Sequence, residues 1–443
     1  VGYQTGPCGY CKDDPNPLES ASYYVRTDSL CSRVYEMLMD RGWRRSGTLL
    51  YLPDLSRSCC PHYTIRLPAP ELDPVRGHRQ ALHRWNRYVL GEEYIRQVAR
   101  KYPLTKEEKR RKNTTFDLVA AVRESEENHL RPDIPPAHRF SISLEPSTFT
   151  KEKYNLFHAY QKRVHHETDD EITPSGFRRF LCSSPLHTTH ASPSSPLGSY
   201  HHTYRLDGRL IAMGVLDLLP HALSAVYFLY HPDFEPWSLG KLSALREVVL
   251  ARELRRPWYY MGYYIPSCPK MRYKAEYRPQ LVLDLDTHVW LPLDNPVRAA
   301  MARRQWVSPS REARIAARIA ASAAPDPDDP HSPDDAEQRD RLAAAEVYGP
   351  VRYPQPRDAA AANESILDLG MPGVPSREAV QSQIDLDAMT FTLNQVGTHK
   401  MRDIKTWAKG SLADPRSIRG LVAELAGCVG PQVAAEAVVD FSR

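Results

Sequence analysis

The chain has no run of about 18 consecutive apolar residues, so nothing in it reads as a membrane-spanning helix. Strong charge of one sign is also missing: 58 Lys and Arg against 54 Asp and Glu leave a net charge of +4. Any contact with nucleic acid must therefore come from a local basic patch. Cysteine is scarce, with eight in 443 residues, which excludes a disulfide scaffold. No secretory signal and no internal repeat are visible, and the expectation is a cytoplasmic or nuclear protein. What remains is ordinary for a globular chain, 42% hydrophobic and 25% charged, and long enough for two or three domains.

The few cysteines are clustered. "GPCGYCK" supplies Cys8 and Cys11 as a Cys-x-x-Cys turn, with Gly9 easing the bend, and "SRSCCPHYTIRL" supplies the adjacent pair Cys59 and Cys60. Four thiolates satisfy tetrahedral zinc. The same four would also hold an iron–sulfur cluster, and the adjacent pair alone could form a vicinal disulfide. Pro61 favours the irregular backbone that adjacent ligands need. Cys31, Cys182, Cys268 and Cys428 stand alone and read as small buried apolar residues.

"TDSLCSRVYEMLMDRGW" predicts a helix capped by Thr27 or Asp28, with Leu30, Val34 and Leu38 on one face and a stop at Gly42. "SGTLLYLP" and "HYTIRL" predict strands; in the second, Tyr63, Ile65 and Leu67 share one face and His62, Thr64 and Arg66 the other. Residues 78–130 read as polar helix, with eight Lys or Arg between Arg96 and Lys112, a solvated connector or a phosphate-contacting arm. A further helix is predicted over 149–167, followed by a Ser/Thr/His/Pro-rich loop.

The plainest stretch lies between 200 and 265. Two strands flank Asp207-Gly208, a hairpin turn, and "LSAVYFLYHP" adds a third. "WSLGKLSALREVVLAREL" reads as a helix with Ser238 as N-cap and Leu239, Leu242, Leu245 and Val249 buried, and "PWYYMGYYI" as a strand. A meander feeding a crossover helix predicts an α+β fold with a GNAT-like (acetyltransferase-like) mixed sheet, although periodicity alone allows other α+β layouts. Four segments are expected: a Cys-rich metal-binding module over 1–75, a basic helical connector over 76–135, the GNAT-like domain over 136–295, and an extension over 296–443. The Pro/Asp-rich stretch 324–340 is expected to be disordered.

Taken in order, "CGYCK", "MDRGWRRSGTLLY", "CCPHYTIRL", "RWNRYVLGEEY", "YRLDGRLIAMGVLDLLPHALSAVYFLY", "SLGKLSALRE" and "YYMGYYIPSCPKMRYKAEYRP" resemble the arginyl-tRNA–protein transferases over about residues 6–295. The resemblance implies transfer of arginine from arginyl-tRNA to the α-amino group of proteins beginning with Asp, Glu or oxidised Cys. It further implies a link to ubiquitin ligases of the N-degron pathway, and a metal, zinc or an iron–sulfur cluster, on Cys8, Cys11, Cys59 and Cys60. True acetyltransferases grip a pyrophosphate with a Gly-rich loop at the crossover helix. Here "SLGKLS" carries Gly240 alone, which favours a tRNA 3′ end over coenzyme A.

Chemistry then suggests roles. A substrate guanidinium calls for a carboxylate: Asp217, otherwise a turn cap, or Glu247, otherwise a helix-surface residue. An acidic N-terminus calls for cations near the metal module, where His62 and Arg66 lie, with Arg84 as a further candidate. Ser238 and Gly240 open the crossover helix to a phosphate. Lys270, Arg272 and Lys274 would share one strand face toward the tRNA acceptor arm, or form a solvated edge, and Arg110 and Arg111 belong to the basic arm. Tyr260 and Tyr263 are candidates to line the reaction cleft, or are core tyrosines.

Overall fold

The N-terminal strands Gly2–Pro7 (β1), Glu19–Arg26 (β2), Arg44–Ser46 (β3) and Leu49–Pro53 (β4) form an antiparallel sheet in the order β1-β2-β4-β3. The computed structural model of the chain describes residues 2–11, 19–188, 196–322, 333–349, 364–393 and 397–441. A helix, Ser32–Met39, links β2 to β3, starting later than its sequence suggested, with Cys31 rather than Thr27 or Asp28 in the N-cap position.

A second sheet has eight strands. It comprises Tyr63–Pro68 (β5), Phe140–Pro146 (β6), Gly198–Leu206 (β7), Arg209–Leu218 (β8), Ala222–Tyr230 (β9), Trp258–Tyr264 (β10), Leu281–Asp284 (β11) and Val289–Pro292 (β12). Their order is β12-β11-β5-β10-β9-β8-β7-β6, and the described pairings are antiparallel except for β9 with β10. Asp207 and Gly208, at φ +51° and +82°, make the expected two-residue turn between β7 and β8. The crossover helix Leu239–Glu253 buries Leu239, Leu242, Leu245 and Val249, the stripe read from sequence.

That helix and Arg76–Lys101, broken at Gly91 where φ is +76°, cover one face of the sheet. Lys151–Tyr160 covers β8 and β9 on the other, where Leu156 and Phe157 meet Met213, Val215 and Leu229. Beside it the four-stranded sheet shares a core with residues beyond 364: Tyr23, Trp43 and Tyr260 pack with Ile366, Leu367, Val422 and Ala426.

Two boundaries expected from sequence are therefore not boundaries in space. β5 precedes residue 75 yet lies between β10 and β11, its apolar face packed with the crossover helix. The extension after 296 is largely folded, with helices Asn295–Arg303, Pro309–Ser322, Pro333–Tyr348 and Ile418–Val429. Each fully buried Val or Leu there contributes about 1.5–3 kcal/mol, shared with the N-terminal sheet. Of the stretch expected to be disordered, 333–340 is helical and 324–332 lies outside the described residues. No described helix is long and apolar enough to cross a membrane.

Candidate functional site

The four clustered cysteines meet. Cys8 and Cys11 follow β1, and Cys59 and Cys60 precede β5, after a turn that Asp54 organises. The Asp54 carboxylate is fully buried; it accepts from the Ser56 and Arg57 amides at 2.9 and 3.2 Å and from the Tyr3 hydroxyl at 2.8 Å. The Cys59 amide donates to the Glu19 carbonyl at 3.2 Å, fixing the pair against β2. All four Sγ atoms then lie within 4.8 Å of one another, with Cys11 and Cys59 at 3.5 Å.

The donor set suits a soft cation. Burial opposes ionising Cys8, but the Tyr10 and Cys11 amides and the neighbouring thiols bring it below the ordinary thiol value; the Tyr10 amide is 3.4 Å from its Sγ. Burial, with Ser267 in opposition and Cys8 and Cys11 adding to it, pushes Cys60 up to about 11, and burial with bonds to Cys11 and Cys8 raises Cys59 further. The Cys8 thiolate is thus favoured, and the Cys59 and Cys60 thiolates need a cation to neutralise them. Cys268 is buried in the same cluster, whereas Cys31 is exposed and Cys182 half-buried, not core residues as expected.

Next to this knuckle the sheet parts. The parallel ladder pairs Trp258, Tyr259 and Tyr260 with Ala222, Leu223 and Ser224 and goes no further, while β10 shifts register against β5 between Tyr260 and Tyr263. Gly262, at φ +77°, lies in that bulge, a conformation that suits glycine. Its missing Cβ would stand 3.6 Å from the Lys274 Nζ and 3.7 Å from the Ala225 carbonyl, so Lys274 lies in the gap. The half-buried ammonium donates to the Met261 and Tyr263 carbonyls at 2.8 and 2.9 Å. Burial, then Arg44, pulls it down to about 8, against the pull of Cys268 and Glu247. "CPKMRYKAEY" is accordingly not a strand but the short helix Pro269–Arg272 and a tight turn, Tyr273–Glu276. Its cations part company: Lys270 and Arg272 are exposed, on the Val164 carbonyl at 3.4 Å and the Pro266 carbonyl at 3.0 Å.

Asp217 takes a guanidinium bidentately, but that of this chain's own Arg45, at 2.6 and 2.7 Å. Ser199 adds a third bond at 2.6 Å, and the carboxylate has no exposed surface, so it is not a receptor for a substrate side chain. Arg66 is likewise committed. It lies between the Trp258 and Trp290 rings, 3.8 and 4.1 Å from their centroids, and donates to Asp40 at 3.1 Å. The same carboxylate accepts from the Tyr260 hydroxyl and the Trp290 indole, and Tyr260 is wholly buried. His62 meets the Tyr10 and Tyr263 rings edge-on, and burial pulls it down to about 4. Tyr263 borders the gap and the cysteines but is 7% exposed, its hydroxyl on the Gly42 carbonyl. Arg84 is elsewhere, on the Pro236 carbonyl at 2.7 Å, over Trp237. Ser238 precedes the crossover helix in a left-handed conformation, φ +56°, without the side-chain cap expected of it; it is exposed and Gly240 half-buried. Arg110 and Arg111 are exposed on Lys106–Thr114, a helix with no buried residue.

Glu247 is not on a surface. It is 2% exposed beneath Gly214, and its carboxylate accepts from Ser243 and Tyr259 at 2.5 Å each. Burial raises it to about 7, against Ser243, Tyr259 and Lys274. The folded chain therefore binds this proton more tightly than the unfolded one. Its contribution to stability is full below the ordinary value of 4.5 and lost as pH rises through about 7. Glu247→Gln is expected to remove a slope of up to about 1.4 kcal/mol per pH unit in that window. Urea unfolding of both proteins at about pH 5 and about pH 7 measures it, and parallel profiles would refute it.

Sequence reasoning missed Arg44, Arg45 and Asp40. All three lie in "MDRGWRRSG", whose adjacent arginines beside a tryptophan were the available signal.

The comparisons with known proteins fall on the segments that meet here. The sequence profile described as "Arginine-tRNA-protein transferase, N terminus" matches residues 6–80, and its C-terminus counterpart matches 152–284. Arginyl-tRNA–protein transferase 1 of Saccharomyces cerevisiae is 31% identical over 311 residues, 66% of this chain and 57% of that protein. Arginyl-tRNA–protein transferase 2 of Arabidopsis thaliana is 27% identical over 451 residues, covering 66% of this chain and 74% of its own. An aspartate/glutamate leucyltransferase of Pseudomonas aeruginosa is 28% identical over 276 residues, 62% of this chain and 89% of that one. Among solved structures, L-PGS from Bacillus licheniformis covers 55% of this chain and 65% of its own at 10% identity, with a TM-score of 0.27, a likeness too weak to assign the fold. The two matched segments interleave in one sheet of an α+β protein, beside a thiol cluster. Those two segments are of the arginine-tRNA-protein transferase family, and the chain spans 57% of the yeast relative's length.

Proposed function

We propose that this chain moves arginine from arginyl-tRNA to the free α-amino group of proteins beginning with Asp, Glu or oxidised Cys, marking them for ubiquitin-dependent degradation through N-degron ubiquitin ligases. The observation that carries this reading is the pairing of β5, from the N-terminal matched segment, with β10, from the C-terminal one, at the gap between β9 and β10. The Pseudomonas relative's name, with aspartate and glutamate in it, supports the acidic acceptor. The sheet is read as acetyltransferase-like, its parted parallel strands opening the acyl site.

The reaction is aminolysis of an activated ester: the amine nitrogen bonds to the arginyl carbonyl carbon, and the tRNA 3′ oxygen leaves and takes up a proton. An α-amino group ionises near pH 7.7–8.0, so a useful fraction is neutral without a strong base. Holding both substrates in line supplies about 7–11 kcal/mol of the barrier. Among the described residues the parallel pairing of β9 ends at Ser224, and the backbone edge beyond it is read as the binding site of the acyl donor. Tyr160, packed edge-on to Tyr227 and Tyr230, offers rings on which a terminal adenosine stacks.

Cys8, Cys11, Cys59 and Cys60 would hold one zinc ion. Metal–sulfur bonds of about 2.3 Å give tetrahedral sulfur–sulfur edges of about 3.8 Å, within the spacing here, whereas a cubane cluster spreads its thiolates over a larger cage. When bound, the ion ties the Cys8–Cys11 turn to the start of β5. Thiols of this kind suit the reducing cytoplasm or nucleus.

The test is transfer of labelled arginine from charged tRNA to two peptides, one with a free N-terminal Asp and one with that Asp acetylated. Label on the free peptide alone is expected; none on either, with folded and metal-loaded protein, refutes the reading. Ser238, Gly240, Lys270, Arg272 and the arm bearing Arg110 and Arg111 are proposed to meet the tRNA. Replacing Arg110 and Arg111 by Glu is expected to weaken tRNA binding and to flatten its log-log salt dependence by about 1.5, leaving the peptide KM unchanged. An unaltered salt slope would remove the arm from the interface.

A further inference from the structure

Among the described residues, the buried guanidiniums of Arg45 and Arg246 hold the Asp217 and Glu126 carboxylates, and half-buried Arg66 holds Asp40. Arg44, beside the gap, holds none. Arg44 is 5% exposed, and its Nη1 donates to the Trp43 carbonyl at 2.8 Å. Its Nε and Nη2 are sealed from solvent without a hydrogen-bond partner, and no carboxylate lies within 4.0 Å among the described residues. The guanidinium rests over the rings of Tyr260 and Tyr263, 5.4 and 5.5 Å from their centroids. Ring contacts offset part of the burial cost, but two strong donors remain unmet.

Lys274 is the second cation at this place. Two of its three N–H groups are held by carbonyls on either side of Gly262, and no carboxylate is within ion-pair distance among the described residues. Both cations meet Tyr263, Arg44 over its ring and Lys274 at its carbonyl, so two like charges are neighbours. A pair of like charges beside the gap between β9 and β10, with no carboxylate in ion-pair distance among the described residues, is stabilised by an anion that enters there.

We propose that Lys274 and Arg44 form the subsite for the acidic side chain of the acceptor's first residue, Lys274 touching the carboxylate or oxidised-sulfur group and Arg44 supplying the second charge behind it. This rests on the transferase reading above. It replaces His62, enclosed by the Tyr10 and Tyr263 rings, and Arg66, held by Asp40, in the role the sequence suggested for them. Two cations walled by Tyr260, Tyr263 and Tyr51 suit a single small anion, whereas a phosphodiester strand suits an exposed row such as Lys106–Thr114. Arg44 is a positioning residue, so its test must read selectivity and not rate alone.

The experiment uses the full, metal-loaded chain and two peptides that differ only in an N-terminal Asp or Asn. Equilibrium binding is measured by fluorescence anisotropy without tRNA, and transfer is measured separately. Wild-type protein is expected to bind the Asp peptide at least about tenfold more tightly, as a charge-assisted bond implies. Arg44→Met and Lys274→Met should each bring that ratio close to one, and Arg44→Lys should retain most of it, with metal content and tRNA KM unchanged. The proposal is overturned if wild type does not discriminate, or if both Met variants keep the ratio. It is equally overturned if their loss shows as a raised tRNA KM or released metal, which would make the cations partners of phosphate or of the thiolates. Discrimination in binding without arginine transfer would uphold the subsite and refute the transferase reading.

Discussion

Protein carrying Cys59→Ser with Cys60→Ser is expected to lose its metal, its stability and its arginyl transfer together. The pair lies between the Asp54-organised turn and β5, and β5 is an inner strand held by β10 on one side and β11 on the other. Without the tie, the start of β5 at Tyr63 is anchored by its pairing with Tyr264, by packing and by the Val307 amide on the Tyr63 hydroxyl. Structural zinc contributes about 10–16 kcal/mol where it organises an entire small domain. Here it organises one turn and one strand end, so the expected loss is several kcal/mol, enough to melt the gap. Metal analysis, circular dichroism melting and the transfer assay on the same preparation measure the three effects. Zinc leaves the protein colourless, whereas an iron–sulfur cluster gives visible absorption. Loss of activity in oxidant with the melt unchanged would show instead that the thiols act as a redox sensor.

Asp217→Asn is expected to destabilise the chain by about 3–5 kcal/mol, because it leaves the Arg45 guanidinium buried without its counter-ion. Both side chains are at most 1% exposed, and Arg45 also donates to the Gly47 carbonyl and to Ser199, so water does not replace the lost partner. The pair joins β3 of the N-terminal sheet to β8 of the large sheet, and its loss loosens the two against each other. Adding Arg45→Met should recover part of the stability, since replacing both partners of a buried pair with apolar groups is often close to neutral. Denaturant midpoints of the two single variants and the double complete the cycle. A midpoint near wild type for Asp217→Asn, together with a large fall in kcat/KM, would return Asp217 to the role of receptor for the arginyl group.

The local elements were legible because their signals are local. The Asp207-Gly208 turn, the apolar stripe of the crossover helix and the pairing of Cys-x-x-Cys with Cys-Cys each rest on residue types and short spacings. Asp217 was expected to receive a substrate guanidinium, whereas it is bound to that of Arg45, 172 residues away. Likewise the apolar face of β5 was visible in "HYTIRL", while its place inside the large sheet was not. "CPKMRYKAEY" alternates like a strand, yet the gap between β9 and β10 is filled by Lys274 from a tight turn.

The sequence by itself determined which residues form the thiol cluster, the meander and the crossover helix, and which family they resemble. Only the tertiary structure decided which charges are spent on each other and which remain for a substrate. Periodicity reports that a side chain is buried, not what it is buried against. Asp217 on β8 neutralises Arg45 and Asp40 at the end of a helix neutralises Arg66, whereas no carboxylate among the described residues reaches Arg44.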